Sequence, residues 1–150
     1  ESPGRSVWPE VLGPLLDRGE SYIDPSRFTS DHDASLAFPA LPFLTLRIVA
    51  MASVHFNTNY CISAVRREHA AFYVRVFRSR QIGGSRTFAE LKFPMLLYAA
   101  DVPVIRDKVY QSYPIFMSTE EEREALFGTG AEEAYTRNVR PSCLEALALP

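Results

Sequence analysis

The stretch from Cys61 to Phe77, CISAVRREHAAFYVRVF, leaves the surrounding chain few choices of fold. Its first five residues, Cys61-Ile62-Ser63-Ala64-Val65, form a short apolar run with the β-branched content of a buried strand. Arg66-Arg67 then turn the chain. Beyond them His69, Phe72, Tyr73, Val76 and Phe77 recur at i, i+3, i+4, i+7 and i+8, one stripe at the helical period, with Glu68 and Arg75 off it. The pattern predicts a strand feeding a helix over residues 68–77 through a polar turn. Such a junction gathers helix N–H groups and polar side chains at the carboxyl end of a strand, where open α/β sheets hold ligands. Tyr73 lies on the inward stripe, so its hydroxyl must find a partner.

The flanking sequence extends the alternation. Val7 to Leu12 opens a short helix, with Pro9 suited to its first turn, Val11, Leu12, Leu15 and Leu16 on one face, and Asp17-Arg18-Gly19 as a stop. Glu1 to Ser6 reads as a linker ahead of it. Ser21 to Phe28 reads as a strand interrupted at Pro25, which removes a ladder donor and opens space between strands. Thr29 to Ala40 is polar and turn-rich and reads as a loop. Pro42 to Asn57 is the longest helical pattern, apolar on nearly every face and therefore largely buried. Ser79 to Ile82 starts another strand, Gly83-Gly84 marks a turn or bulge, and Pro94 to Val102 is a buried strand. Helices are expected over Val104 to Tyr113 and Thr119 to Phe127, the second with a glutamate-rich first turn behind Ser118. This order is that of an α/β fold, placed at residues 1–127 with a peripheral tail at 128–150.

With 150 residues, 47% of them hydrophobic and 12% aromatic, the chain can fill one core and stands far from the disordered class. A net charge of −2 argues against a nucleic-acid surface, although arginines crowd between Arg66 and Arg86. The two cysteines, Cys61 and Cys143, have neither metal-ligand spacing nor the pattern of a disulfide framework. They point to a reducing compartment, the cytoplasm, and imply no metal. No apolar stretch reaches the roughly 20 residues a bilayer span requires. The abrupt start, ESPGR, suggests sequence upstream of Glu1.

Taken together, VRREHAAFYVRVF, the Arg-x-Phe turn Arg86-Thr87-Phe88 and the apolar strand after it resemble the C-terminal half of the GNAT acyltransferase superfamily. The likeness is greatest to the branch of N-acyl amino acid synthases and acyl-homoserine lactone (autoinducer) synthases. In that branch a strand ends in a basic residue and a helix carries His, Phe-Tyr and Arg, matched here by Arg66, His69, Phe72, Tyr73 and Arg75. Asp24-Pro25-Ser26-Arg27-Phe28 is similar to the Glu-x-Ser-Arg-Phe strand of autoinducer synthases, with Asp24 in place of glutamate. The resemblance implies a mixed sheet flanked by helices, of which this chain carries mainly the second half. Either upstream sequence or a partner such as a second copy would then complete the sheet edge. Acetyl-CoA-dependent members have a glycine-rich turn before the central helix. Here Phe38-Pro39-Ala40-Leu41-Pro42 has no glycine, which argues against a tightly cradled CoA and is compatible with a donor thioester on acyl carrier protein, with acyl-CoA the alternative donor.

Moving an acyl group from a thioester to an amine requires a neutral nucleophile, a stabilised oxyanion and a proton for the leaving thiolate. Backbone N–H groups freed at Pro25 suit the oxyanion, and Tyr73 suits the thiolate. Asp24, or His69 with its near-neutral ordinary pKa, can take the ammonium proton. Arg27 and Arg66, with Phe28, form the expected acceptor site for an amino acid, since a guanidinium fork matches a carboxylate. Arg67, Arg75, Arg78, Arg80 and Arg86 form the expected docking face for an acidic carrier protein. Each has a plainer reading: Tyr73 as a core tyrosine, His69 as a helix-start bond, Asp24 as a turn former, the arginines as a solvated face. Cys61 reads as a small buried hydrophobe. The expected activity is N-acyl transfer of a long chain to an amino acid or related amine. The alternative is a non-catalytic GNAT-like interaction module, and a nucleic-acid binder lacks a motif.

Overall fold

The structure, a computed structural model, describes residues 2–26, 32–88 and 91–128. Helices α1 (Pro3–Val7) and α2 (Pro9–Asp17) precede a two-residue strand, β1 (Tyr22–Ile23). Helices α3 (His32–Ala37) and α4 (Leu41–His55) lead into β2 (Tyr60–Val65). A 3-10 turn at Arg67–His69 runs into α5 (Ala70–Phe77), followed by β3 (Arg80–Arg86), β4 (Met95–Asp101) and α6 (Val102–Ser112). The sheet order is β1-β2-β4-β3, with β1 parallel to β2 and the other pairs antiparallel. It is a mixed sheet flanked by helices, as expected.

Strand alternation divides the sheet into two faces. Ile62 on β2 and Leu97 and Ala99 on β4 turn to one side and bury Trp8 and Leu12 of the α1–α2 pair. Val65, Leu96 and Tyr98 turn to the other side and pack on Ala70 and Tyr73 of α5. Behind α5 a helical layer closes the core, with Leu46 of α4, Val76 of α5, Val109 of α6 and the fully buried Phe116 in contact.

Three segments differ from the sequence reading, the first being the strand expected over Ser21 to Phe28, which among the described residues is a strand only at Tyr22–Ile23. Glu1 to Ser6, expected as a linker, overlaps α1, which runs on to Val7, is capped by the Ser2 hydroxyl on Arg5 N and is started by Pro3. Its Gly4 N–H donates to Asp24 Oδ2 at 2.7 Å, a tertiary bond that local propensity does not contain. Thr29 to Ala40, expected as a loop, contains α3. At Gly83-Gly84 the β3–β4 register shifts on both sides of Gly83, so the pair forms a bulge within a strand that runs on to Arg86. The bulge seats Trp8: its indole N–H donates to Gly84 O at 2.9 Å, and a Cβ on Gly83 would lie 2.8 Å from the indole.

One compact unit ends at Met117, and a second begins at Ser118, ahead of α7 (Glu120–Phe127). In α7 Glu122 N donates to the Thr119 hydroxyl while Glu122 Oε2 accepts from Thr119 N, the reciprocal bonds of a capping box. The tail after Gly128, with Cys143, lies outside the described residues.

Candidate active site

The site begins where the parallel pair stops. Tyr60 N donates to Ser21 O at 3.1 Å, and Tyr22 and Ile23 face Tyr60 and Cys61. In a parallel ladder alternate residues of one strand donate, so residues 23 and 25 are the ones placed to bond β2. Pro25 has no N–H, and the pairing ends at Ile23. Beyond that point β2 continues to Val65 without β1.

On the face shared with α4, α5 and α6, the strands there carry small side chains. Cys61 faces Ala100 across β2–β4, and Ser63 faces Tyr98. Arg80 faces Ala99, which puts Ser79 in the same cross-sheet row as Ala100 and Cys61. Over this small-residue floor lies a pocket enclosing about 620 Å³ out to its mouth. Pro25 lies at one side, Ser79 at the other, and Leu46, Val49, Phe77 and Val109 form its apolar roof. A pocket with this lining suits an apolar ligand.

Tyr73 reaches into this pocket from α5. Its ring packs edge-on to Phe72, with centroids 5.5 Å apart. Its hydroxyl has no hydrogen-bond partner among the described residues. Burial, with a smaller contribution from nearby Cys61, pushes the phenol's pKa up, so it holds its proton through neutral pH. Cys61 is affected more strongly: burial first, offset in part by the Ser53 hydroxyl, raises its thiol to about 12. This is an inert thiol on a pocket floor.

The other expected residues separate. Asp24, half-buried, holds α1 through Gly4 at the point where β1 ends. His69 is exposed in the 3-10 turn and is not among the residues lining the pocket. Arg66 is exposed, ion-paired with Glu68 and stacked over Phe93 with its guanidinium 4.5 Å from the ring centroid. The Glu68 carboxyl is held below its usual range by its own backbone N–H first and then by Arg66 and His69. Arg67, Arg75, Arg78 and Arg80 are exposed. Arg86 is committed internally, donating to Val7 O at 2.5 Å and pairing with Glu10 at 2.9 Å. Arg27 and Phe28 lie outside the described residues. Arg78 and Arg80 share a second groove with Lys108 and Asp101 at the start of α6.

Sequence reasoning missed Ser63, Ser79 and the α6 contribution to the pocket. The small residues at alternate positions were visible, but only the β2–β4–β3 register brings them onto one floor.

A mixed sheet whose parallel pair parts beside an apolar pocket is a GNAT-like fold. The N-acyl amino acid synthase FeeM family model matches residues 1–101. The chain belongs to that family. Among solved structures, that of FeeM, an N-acyl amino acid synthase from uncultured soil microbes, is similar to it with a TM-score of 0.61 and 20% identity. The match covers 73% of this chain and 61% of that one, so the chain spans under two thirds of the length of this relative. Comparison with curated proteins gives no match.

Proposed function

We propose that the chain belongs to an enzyme that transfers a long acyl group from a carrier-bound thioester to the amine of an amino acid. The observation that carries this reading is the apolar pocket opening where Pro25 ends the β1–β2 ladder, with the protonated Tyr73 hydroxyl directed into it. The acyl chain lies in the pocket and its thioester sits at the parting of the strands. The amine nitrogen attacks the carbonyl carbon, forming the C–N bond, and backbone N–H groups at the parting hold the oxyanion. As the C–S bond breaks, the leaving thiolate takes the Tyr73 proton. A thiol with an ordinary pKa of about 8.5 is a stronger acid than a phenol, so this transfer needs the positioning that the pocket supplies. Asp24 accepts the proton lost by the nitrogen, directly or through a water, with the carboxyl oxygen not bound to Gly4. Tyr73 regains its own proton from solvent.

The donor reading rests on two features. The turn before α4 has no glycine, and Pro42 in the first helical turn removes an amide from a pyrophosphate cradle. The exposed arginines Arg67, Arg75, Arg78 and Arg80 offer an acidic carrier protein a basic face. Arg27 and Phe28 are assigned to the acceptor. Arg66, paired with Glu68, can join them only by exchanging partners. The outer edge of β1 pairs with no strand among the described residues, and a second copy could add to the sheet there. A cytoplasmic setting suits this donor, and no described helix is long and apolar enough to cross a membrane.

The test is incubation of the chain with long-chain acyl-carrier protein and mixed amino acids, with products read by mass spectrometry. An acyl amino acid that disappears with Tyr73→Phe is the expected result. Product formation unaffected by Tyr73→Phe removes the tyrosine from the mechanism. No product with any donor favours the interaction-module reading.

A further inference from the structure

The pocket is apolar except for a few hydroxyls, and one of them has no place in the chemistry above. Ser79 is 6% exposed, lines the pocket, and lies between the end of α5 and β3. Its backbone N–H is used, donating to Tyr73 O at 3.3 Å. Its hydroxyl has no partner among the described residues, and it is not sealed from the pocket space. The pocket lining also includes the apolar Phe77, Ala100, Val102, Ile105 and Val109, with Ser53, Ser63, Tyr73 and Tyr110 supplying its other hydroxyls. Arg106, which also reaches the pocket, is half exposed and pairs with Asp107 at 3.3 Å.

The position of Ser79 along the pocket follows from the sheet. It shares a row with Ala100 and Cys61, and two strand spacings separate it from β2, about 10 Å. The parting of β1 from β2, at Pro25, is on the far side of β2. An acyl chain entering there passes Cys61 and Ala100 and reaches Ser79 only with its distal carbons.

We infer that the acyl chain this pocket takes carries a hydroxyl group in its distal part, and that Ser79 is the residue that reads it. This deepens the reading of the pocket as an acyl site and rests on it. A hydroxyl on the ligand both donates and accepts, as the serine hydroxyl does, so each supplies what the other lacks. A plain chain lying over the serine would cover its hydroxyl without giving it a partner, which is the costly case. A site built to bond a substrate hydroxyl rejects the analogue lacking it far more strongly than an apolar pocket rejects a chain of different length.

The experiment compares decanoyl, β-hydroxydecanoyl and ω-hydroxydecanoyl chains on the full chain. Transfer is measured from each on carrier protein, and binding is measured by displacement of a fluorescent fatty acid by each free acid. The ω-hydroxy chain is expected to be preferred over the plain one by about tenfold or more in both assays. The β-hydroxy chain should gain nothing from Ser79. In Ser79→Ala the ω-hydroxy preference should fall to about unity, and in Ser79→Thr, which keeps the hydroxyl, it should persist. Equal affinity for the plain and ω-hydroxy chains, or a preference that survives in Ser79→Ala, overturns the inference. Ser79-dependent binding preference without transfer from any donor would leave it standing and remove the enzymatic reading instead.

Discussion

Asp24 and Gly4 are joined by a 2.7 Å bond from the Gly4 N–H to the Asp24 carboxylate, twenty residues apart. The bond fastens α1 to the chain just where β1 leaves the sheet. Glycine at position 4 leaves room for this: a Cβ there would lie 2.9 Å from Asp24 Oδ2 and 3.2 Å from Ile62 Cδ1, side-chain ends that would have to shift. Gly4→Ala is therefore expected to cost about 1–3 kcal/mol by crowding, and Asp24→Ala about 1–3 kcal/mol by leaving the amide unpaired. Urea unfolding of the two single variants and the double variant checks this. Because both disrupt one contact, the double variant should fall short of the sum; strict additivity would show the bond to be inconsequential.

Gly83 and Trp8 make a second close approach. An added Cβ on Gly83 would meet Leu97 Cβ and the indole, each at 2.8 Å, and the indole N–H is tied to Gly84 O. Gly83→Ala must displace the fully buried Trp8 or shift the bulge, at an expected cost of about 2 kcal/mol or more. The chain has one tryptophan, so its emission reports the displacement directly. A red shift with a lowered melting temperature is expected. An unchanged spectrum would show that the bulge absorbs the methyl.

The central strand and helix were legible because their apolar residues repeat at periods that need no knowledge of neighbours, and Pro25 was legible as a ladder break for the same local reason. What was not legible depends on register or on distance along the chain. The α1 helix is five residues long and held by Ser2 and Asp24. His69 was placed on the inward stripe by extending the α-helical period back into a segment that winds as a 3-10 turn, whose three residues per turn carry the ring off that face. Arg86 looks like its neighbours in sequence and is exposed as they are, but it is tied to Glu10 and to Val7 O, over seventy residues away.

Cys61 gives the fold a pH dependence with a definite sign. Its thiol is raised from the ordinary 9.0 to about 12 in the folded chain. The unfolded thiol ionises first, so this contribution is fully present below about pH 9 and is lost as pH rises toward 12. The slope within that window is about 1.4 kcal/mol per pH unit. Tyr73, raised in the same direction, adds to the loss at higher pH. Unfolding midpoints at about pH 8 and about pH 10.5 should diverge less in Cys61→Ala than in the parent chain. An equal divergence would mean that the thiol is not desolvated.

Tyr73→Phe separates stability from function. The hydroxyl has no hydrogen-bond partner among the described residues, while the ring packs against Phe72 and the cluster of Val65, Ala70, Leu96 and Tyr98. Its removal should change the unfolding free energy by no more than about 0.5 kcal/mol. Loss of a positioned general acid typically lowers turnover about 10²–10⁴-fold. Thermal melting and product formation, measured on the same preparation, check both halves. A large drop in stability would make Tyr73 a structural tyrosine instead.

Arg78 is the basic residue whose presence the fold itself does not favour. It ends α5 in the left-handed conformation, with φ of 51°, where a side chain is strained and glycine is not. Arg78→Gly should therefore stabilise the chain by about 1 kcal/mol. Arg78 is exposed and lines a groove with Arg80 and Lys108, and Arg78 and Arg80 belong to the basic face proposed for the carrier protein. Losing the Arg78 guanidinium should raise KM for acyl-carrier protein severalfold, and more at low ionic strength than at high, because salt screens such a contact. Opposite shifts in melting temperature and carrier affinity are thus expected from one substitution. A variant that is more stable and binds the carrier equally well would remove Arg78 from the docking face.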